Sequence, residues 1–387
     1  MRYSNLFLIF LSTIVTLLFI YIGFIFYNFI NYNEKENKFF KNKEILEFHK
    51  KYSSILNHTR GTDSSAIFDL LIDNHKLTAK DLAEESNSKI TDKKEILFNY
   101  IYKTNKKKVI LLQGDSWVEQ FNYYKKSKGE LVKFGIRNNI NIINAGTSSY
   151  SPTLMKLQFN ILRDDFKIKP EIVVAMFDQT DIGDEICRYK NNRVFKNNKL
   201  ISIKPAFHEF PIKWKLTELY FEEKNILFKS KSISDFKIEL FFIKAKNKLS
   251  KFFNKNIRYC RYQDIQSYLI DLNNKDKKYF SDSIEEYLEN LTKEKYIKKV
   301  ILITFPHKFH FNINDNKNTK YNFDVSKITK KIVKNFDIVE HINFSEILNL
   351  KTDNTNNIWL ENDISSHLKP EYHHKLITKE IIKSLNY

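Results

Sequence analysis

The sequence predicts an α/β protein: one three-layer α/β/α domain on a parallel five-stranded sheet, preceded by a single transmembrane helix. Three observations carry that expectation. Short β-branched runs alternate with longer amphipathic stretches from about Lys106 onward. Glycines and small polar residues follow directly on several of those runs, where an open α/β sheet gathers its reactive groups. At the other end of the chain, no charged side chain occurs between Ser4 and Asn33.

The elements follow in order. Residues 5–31 are nearly all Leu, Ile, Phe, Val and Tyr, and a helix from Leu6 to Ile30 would rise roughly 37 Å, against a hydrocarbon core of about 30 Å. A cleaved signal peptide has a shorter apolar region and a small-residue cleavage site, and the first alanine is Ala66. The stretch therefore reads as an uncleaved anchor. Lys35, Lys38, Lys41 and Lys43 follow it, which on lysine count alone favours a cytoplasmic body, a rule that weakens in so lysine-rich a chain. Residues 32–105 read as a charged helical linker region in which no catalytic pattern stands out. Val109–Leu112, Ile140–Ile143, Ile172–Met176, Val300–Thr304 and Ile338–Ile342 read as buried strands. Trp117–Phe134, Pro152–Phe166, Ser281–Tyr296, Val325–Val333 and Pro370–Leu385 read as the helices between and after them. A stretch at about 188–267 breaks the alternation and reads as an insertion.

Composition bounds the function. The 387 residues carry 64 Lys and Arg against 46 Asp and Glu, a net charge of +18, but the lysines are scattered among asparagines with no arginine-rich stripe and no nucleic-acid-binding module. Nucleic acid is therefore not expected as a partner; anionic lipid or an acidic glycan suits the charge at least as well. Two cysteines exclude a disulfide scaffold and a four-cysteine zinc site. There are only seven glycines, and Gly114, Gly146 and Gly183 fall in or beside three candidate site loops.

Those loops carry the chemistry. Gly114-Asp115-Ser116 closes the first strand and opens a helix, which suits Ser116 to nucleophilic attack, with helix capping as the plain alternative for Asp115 and Ser116. Gly146, in Asn144-Ala145-Gly146-Thr147, ends the second strand, where its N–H can approach a reacting centre unless it is an ordinary turn glycine. Asp178-Gln179-Thr180-Asp181 ends the third strand; Thr180 or Gln179 is placed to donate to an oxyanion. The acids Asp178, Asp181, Asp184 and Glu185 invite a metal reading, but loop carboxylates are more often solvated, and no metal is expected. His367, in Ser365-Ser366-His367-Leu368-Lys369-Pro370, precedes the last helix and faces the same rim. His307, His310, His373 and His374 read as surface residues.

Together the four blocks resemble the SGNH (GDSL-type) hydrolase superfamily from about Lys106 to the end, minus the insertion. The resemblance implies a flavodoxin-like sheet and a serine esterase or O-acyltransferase without a dissociable cofactor. It further implies Ser116 as nucleophile, His367 as base, Asp363 as the orienting acid, and Ser116, Gly146 and Thr180 or Gln179 around the oxyanion. Two departures stand out. Asp178 and Thr180 occupy positions where the family has Gly and Asn, and Ile364 stands three residues before His367 where Asp is expected, with Asp363 one residue farther. A non-catalytic, membrane-tethered binding protein on a degenerate scaffold is therefore the alternative. Cys187-Arg188-Tyr189 and Cys260-Arg261-Tyr262 bracket most of the insertion, and a bond between them would staple its base in an oxidising compartment. With the exported location of anchored relatives, that favours a domain on the external side of the cytoplasmic membrane, facing an O-acylated envelope glycan.

Overall fold

The computed structural model describes residues 12–13, 15–23, 43–60, 92–204, 273–305, 325–347, 358–360 and 367–385. Among them no helix is long and apolar enough to cross a membrane. Of the expected anchor at 5–31, residues 12–13 and 15–23 are described as helix, and the rest lies outside the described residues. The single-pass anchor, and the placement of the domain outside a membrane that depended on it, are not supported.

In chain order the structure begins with α1 (Lys43–Leu56), then β1 (Asn99–Tyr102), β2 (Val109–Gln113), α2 (Ser116–Glu119), α3 (Lys125–Asn138), β3 (Asn141–Asn144), α4 (Pro152–Asp164) and β4 (Ile172–Asp178). The hairpin β5 (Arg193–Lys196) and β6 (Lys199–Ile203), α5 (Asn274–Thr292), β7 (Lys299–Phe305), α6 (Val325–Ile332) and β8 (Val339–Asn343) come next. The last helix, α7, runs from Pro370 to Leu385 through a π-helical stretch at His373–Thr378.

All five strands expected from the sequence are present, but the sheet is mixed and six-stranded, in the order β1-β3-β2-β4-β7-β8. This corrects the expectation of a five-stranded, wholly parallel sheet. β2, β3, β4, β7 and β8 are parallel neighbours, whereas β1 pairs antiparallel with β3 at the edge. Only Ile101 of β1 is buried, so the strand has little of the continuous apolar run that marks the central ones.

The parallel strands place alternate residues in two cores, as a period of two requires. Leu111, Val173, Ala175, Phe177 and Leu302 face α1, α4 and α5, whose Tyr52, Leu154 and Ile284 pack against them. Ile110, Leu112, Val174, Met176 and Ile303 face α3 and α7, through Leu131, Phe134, Ile377 and Ile381. The segment read as a linker thus contributes a core helix and an edge strand. The stretch expected as one helix from Trp117 to Phe134 is split into α2, a 3₁₀ turn at Gln120–Asn122, and α3. That split lets Trp117 and Val118 turn into the core immediately behind Ser116.

The start of the insertion is the β5–β6 hairpin, turned by Asn197 and Asn198 with φ of 50° and 58°, the left-handed pair a two-residue hairpin loop demands. Residues 205–272 lie outside the described residues. Cys187 is disulfide-bonded; Cys260, the other cysteine of the chain, lies outside them.

Candidate active site

β2 ends at Gln113, and Gly114 makes the turn into α2 because nothing larger fits. A Cβ there would stand 2.6 Å from Val118 Cγ2 and 2.9 Å from the Met176 carbonyl oxygen. Asp115 then caps α2, its Oδ1 accepting from the Trp117 N–H at 2.9 Å. This cap sets Ser116 as the first helical residue, 8% exposed, with an N–H that has no acceptor inside its own helix.

His367 arrives from the far end of the chain. The Leu360 N–H donates to the His367 carbonyl at 2.8 Å, the Lys369 N–H donates to Ile358 at 2.8 Å, and the Tyr124 hydroxyl donates to the Leu368 carbonyl at 2.9 Å. Held on that short antiparallel pair, the buried imidazole brings Nε2 to 2.7 Å from Ser116 Oγ, across 251 residues of sequence. The nucleophile and base expected from the sequence therefore meet. Asp363, the expected orienting acid, lies outside the described residues.

The second block is positioned differently. Gly146 packs on the start of α2 so closely that a Cβ would lie 2.5 Å from the Glu119 nitrogen and 2.6 Å from Val118 Cβ. Its N–H donates to Asn144 Oδ1 at 2.8 Å, so the donor expected for an oxyanion already has an acceptor. Behind it sits Arg60, a buried residue of the segment in which no catalytic pattern was seen. Its guanidinium donates from Nε to the Gly146 carbonyl at 2.6 Å, from Nη2 to the Asn144 carbonyl at 2.9 Å and Oδ1 at 3.1 Å, and from Nη1 to Asn99 Oδ1 at 2.6 Å. Glu119 acts on it as a counter-charge and itself accepts from the Ser148 N–H at 3.0 Å. His58 Nε2 lies 2.7 Å from the Ser148 carbonyl oxygen. An isolated arginine in a polar stretch carries no sequence signal of this role, because its partners are main-chain carbonyls and asparagines brought together only by the fold.

At the third block the side chains also turn inward. Thr180 donates from both its N–H and its hydroxyl to Asp178 Oδ1, each at 2.7 Å, and Asp181 N–H adds a third bond at 3.0 Å. Asp178 Oδ2 accepts from the Trp117 indole at 3.0 Å. Gln179 is buried, with Oε1 accepting from the Val325 N–H at 3.1 Å. Asp184 and Glu185 are tied into ion pairs with Arg188 and Arg193, and Glu185 also takes the Ser151 and Thr153 hydroxyls.

One carboxyl oxygen each of Asp115, Asp178 and Asp181 lies within 4.8 Å of the others. No Lys or Arg forms an ion pair with any of the three among the described residues. Burial, reinforced by neighbouring carboxylates, pushes Asp115 and Asp181 well above the usual carboxylate range. Burial also raises Asp178, but less freely, because the bonds from Thr180, the nearby His367 ring and the Trp117 indole all favour its ionised form. Asp178 is thus the member of the group whose surroundings most favour the ionised form. A hard cation takes six or more oxygens, and Asp178 is already committed to four donors, so the set is poorly furnished for one.

Of the remaining histidines, His373 corrects the surface reading. It is fully buried in the π-helical part of α7, with Nδ1 2.9 Å from Ser127 Oγ and edge-on contacts to Phe121 and Tyr124, and burial lowers its pKa to about 3. His307 and His310 lie outside the described residues.

No family model matches the chain, and no curated protein matches it. Solved structures do. An α/β hydrolase from the Lake Arreo metagenome is 10% identical, with 74% of this chain and 98% of that one covered at a TM-score of 0.39. An acetylxylan esterase from Geobacillus stearothermophilus, a catalytic mutant, is 12% identical, with 74% and 97% covered at 0.37. A GDSL-like lipase from Bacteroides thetaiotaomicron is 13% identical, with 73% and 91% covered at 0.33. In the order of its motif blocks and in the pairing of Ser116 with His367, the chain is similar to the SGNH hydrolase superfamily.

Proposed function

We propose that the chain is a serine hydrolase acting on ester bonds. The observation that carries this reading is the 2.7 Å approach of Ser116 Oγ to His367 Nε2 at the carboxyl rim of the sheet's parallel strands. In this reading His367 takes the hydroxyl proton as Oγ bonds to the acyl carbon. The tetrahedral oxyanion collapses, the ester C–O bond breaks, and the same proton passes to the leaving alkoxide. Water, or a sugar hydroxyl, then attacks the acyl-enzyme by the reverse proton path, giving hydrolysis or O-acyl transfer. The Ser116 N–H is the donor best suited to the oxyanion, and Gly146 N–H joins it only by leaving Asn144. Asp363 remains the acid proposed to orient His367. An O-acylated glycan is the proposed substrate class and rests on the motif resemblance alone.

A second reading, a binding protein on the same scaffold, is favoured by the engaged Gly146 and Thr180 donors. A fluorophosphonate probe separates the two. Labelling of the wild type and none of Ser116→Ala supports the hydrolase; no labelling of a folded wild type overturns it. Release of acetate from an acetylated oligosaccharide, against p-nitrophenyl acetate as reference, then tests the glycan.

A further inference from the structure

Two residues beside the reacting pair are bonded to each other. Trp117 follows Ser116, and Asp178 opens the third block, where the resemblance puts glycine. The Trp117 indole N–H donates to Asp178 Oδ2 at 3.0 Å, and both side chains are buried. The indole is stacked on Phe305 at the end of β7, with ring centroids 4.1 Å apart and planes 10° from parallel. It also stands against the His367 imidazole, centroids 5.4 Å apart at 45°. Asp178 in turn is fixed by three donors from Thr180 and Asp181 on its other oxygen. A continuous line therefore runs from the third block, through one carboxylate and one indole, to the ring that touches the nucleophile.

We propose that Asp178 is a positioning residue that acts through Trp117: it locks the indole against Phe305, and the indole holds the His367 ring in reach of Ser116. This rests on the reading of Ser116 and His367 as the reacting pair, and it gives the third block a different task from oxyanion donation. The Thr180 hydroxyl is turned to Asp178 as part of the same anchor. The arrangement gives a task to a buried carboxyl that stands beside two others. An amide at 178 could not serve the indole and the Thr180–Asp181 donors together, since its nitrogen would face one donor set or the other.

A double-mutant cycle tests the line. Asp178→Asn and Trp117→Phe should each lower kcat on p-nitrophenyl acetate about tenfold with KM within twofold. The double variant should fall no further than the worse single, because both changes break one connection. A double variant that loses the product of the two, about a hundredfold, overturns the proposal. A purely structural role would lower the melting temperature and raise KM with no such coupling. Should Asp178→Asn not fold, Asp178→Gly, the family residue, takes its place in the cycle. Emission of Trp117, obtained by subtracting the Trp117→Phe spectrum, provides a readout independent of activity. It should shift when Asp178 becomes Asn, and an unchanged spectrum refutes the bond. If the wild type neither hydrolyses nor labels while that shift is present, the hydrolase reading fails and the Asp178–Trp117 anchor stands.

Discussion

The two sides of the candidate site are built to different ends. On one side Ser116 and His367 face each other at 2.7 Å, each held by main-chain geometry. On the other, the groups expected to meet an oxyanion are turned back into the protein: Gly146 N–H to Asn144, the Thr180 hydroxyl to Asp178. A buried donor is seldom left unsatisfied, so in the resting protein an oxyanion donor tends to have another acceptor. What distinguishes this site is that both acceptors serve other donors as well. Asp178 Oδ1 holds three donors at once, and Asn144 Oδ1 also accepts from Arg60. Under the proposed reading, Ser116 and His367 already stand within reach of each other, and on the opposite side Gly146 N–H would have to leave Asn144 to act.

The largest effect should come from the reactive side. His367→Gln removes the base and should lower kcat/KM on p-nitrophenyl acetate by about 10³ or more with the fold intact, as losses in other serine hydrolases indicate. Retention of more than a tenth of the activity would leave Ser116 without a base and break the comparison at its stronger half. Next comes the clamp behind Gly146. Arg60→Met leaves the Gly146 and Asn144 carbonyls, Asn144 Oδ1 and Asn99 Oδ1 without the donor they share, and Glu119 without its counter-charge. Urea unfolding should show a loss of about 3 kcal/mol or more. A loss under about 1 kcal/mol would mean that the loop holds itself.

Thr180→Val sharpens the contrast between the sides. With the hydroxyl anchoring Asp178, its removal should lower kcat by less than about tenfold, measurable on the same ester. Were Thr180 the working oxyanion donor, the loss would be about 10²–10³.

How much of this was legible follows from what each part depends on. Four of the five parallel strands are buried on both faces, so their β-branched runs announce them, while β8, at the far edge, is half-buried throughout; Ser116 and His367 stand in short motifs with local meaning. β1 pairs at an edge and buries one side chain, which leaves almost no pattern. Arg60, Asn144, Trp117 and Asp178 acquire their roles from partners 26 to 86 residues away, and single residues at such separations carry no periodicity. His373 sits among charged neighbours in sequence, and only the widened π-helical turn brings it wholly inside. The apolar stretch near the start shows the opposite limit. Its composition argued for a membrane helix, yet the described residues contain no helix long enough for one.

The smallest effect concerns the carboxyl cluster and has an unusual sign. Burial and the neighbouring carboxylates raise Asp181 and Asp115 above their unfolded values, so the folded chain retains protons that the unfolded chain has already lost. Stability from this source is complete below the unfolded carboxylate range near pH 4 and declines as pH rises toward the folded pKa. That slope is the reverse of the one set by salt-bridged carboxylates. Asp181 Oδ2 accepts from the Asp178 N–H, while Oδ1 has no partner among the described residues. In Asp181→Asn the amide oxygen keeps the first bond, and the NH₂ replaces an orphaned oxygen with a donor beside two carboxyls. The variant should be more stable at pH 7–8 by about 1 kcal/mol, with a flatter dependence between pH 5 and 8 in thermal melts. Equal destabilisation at every pH would show instead that Asp181 is ionised in the native state and that its negative charge is needed there.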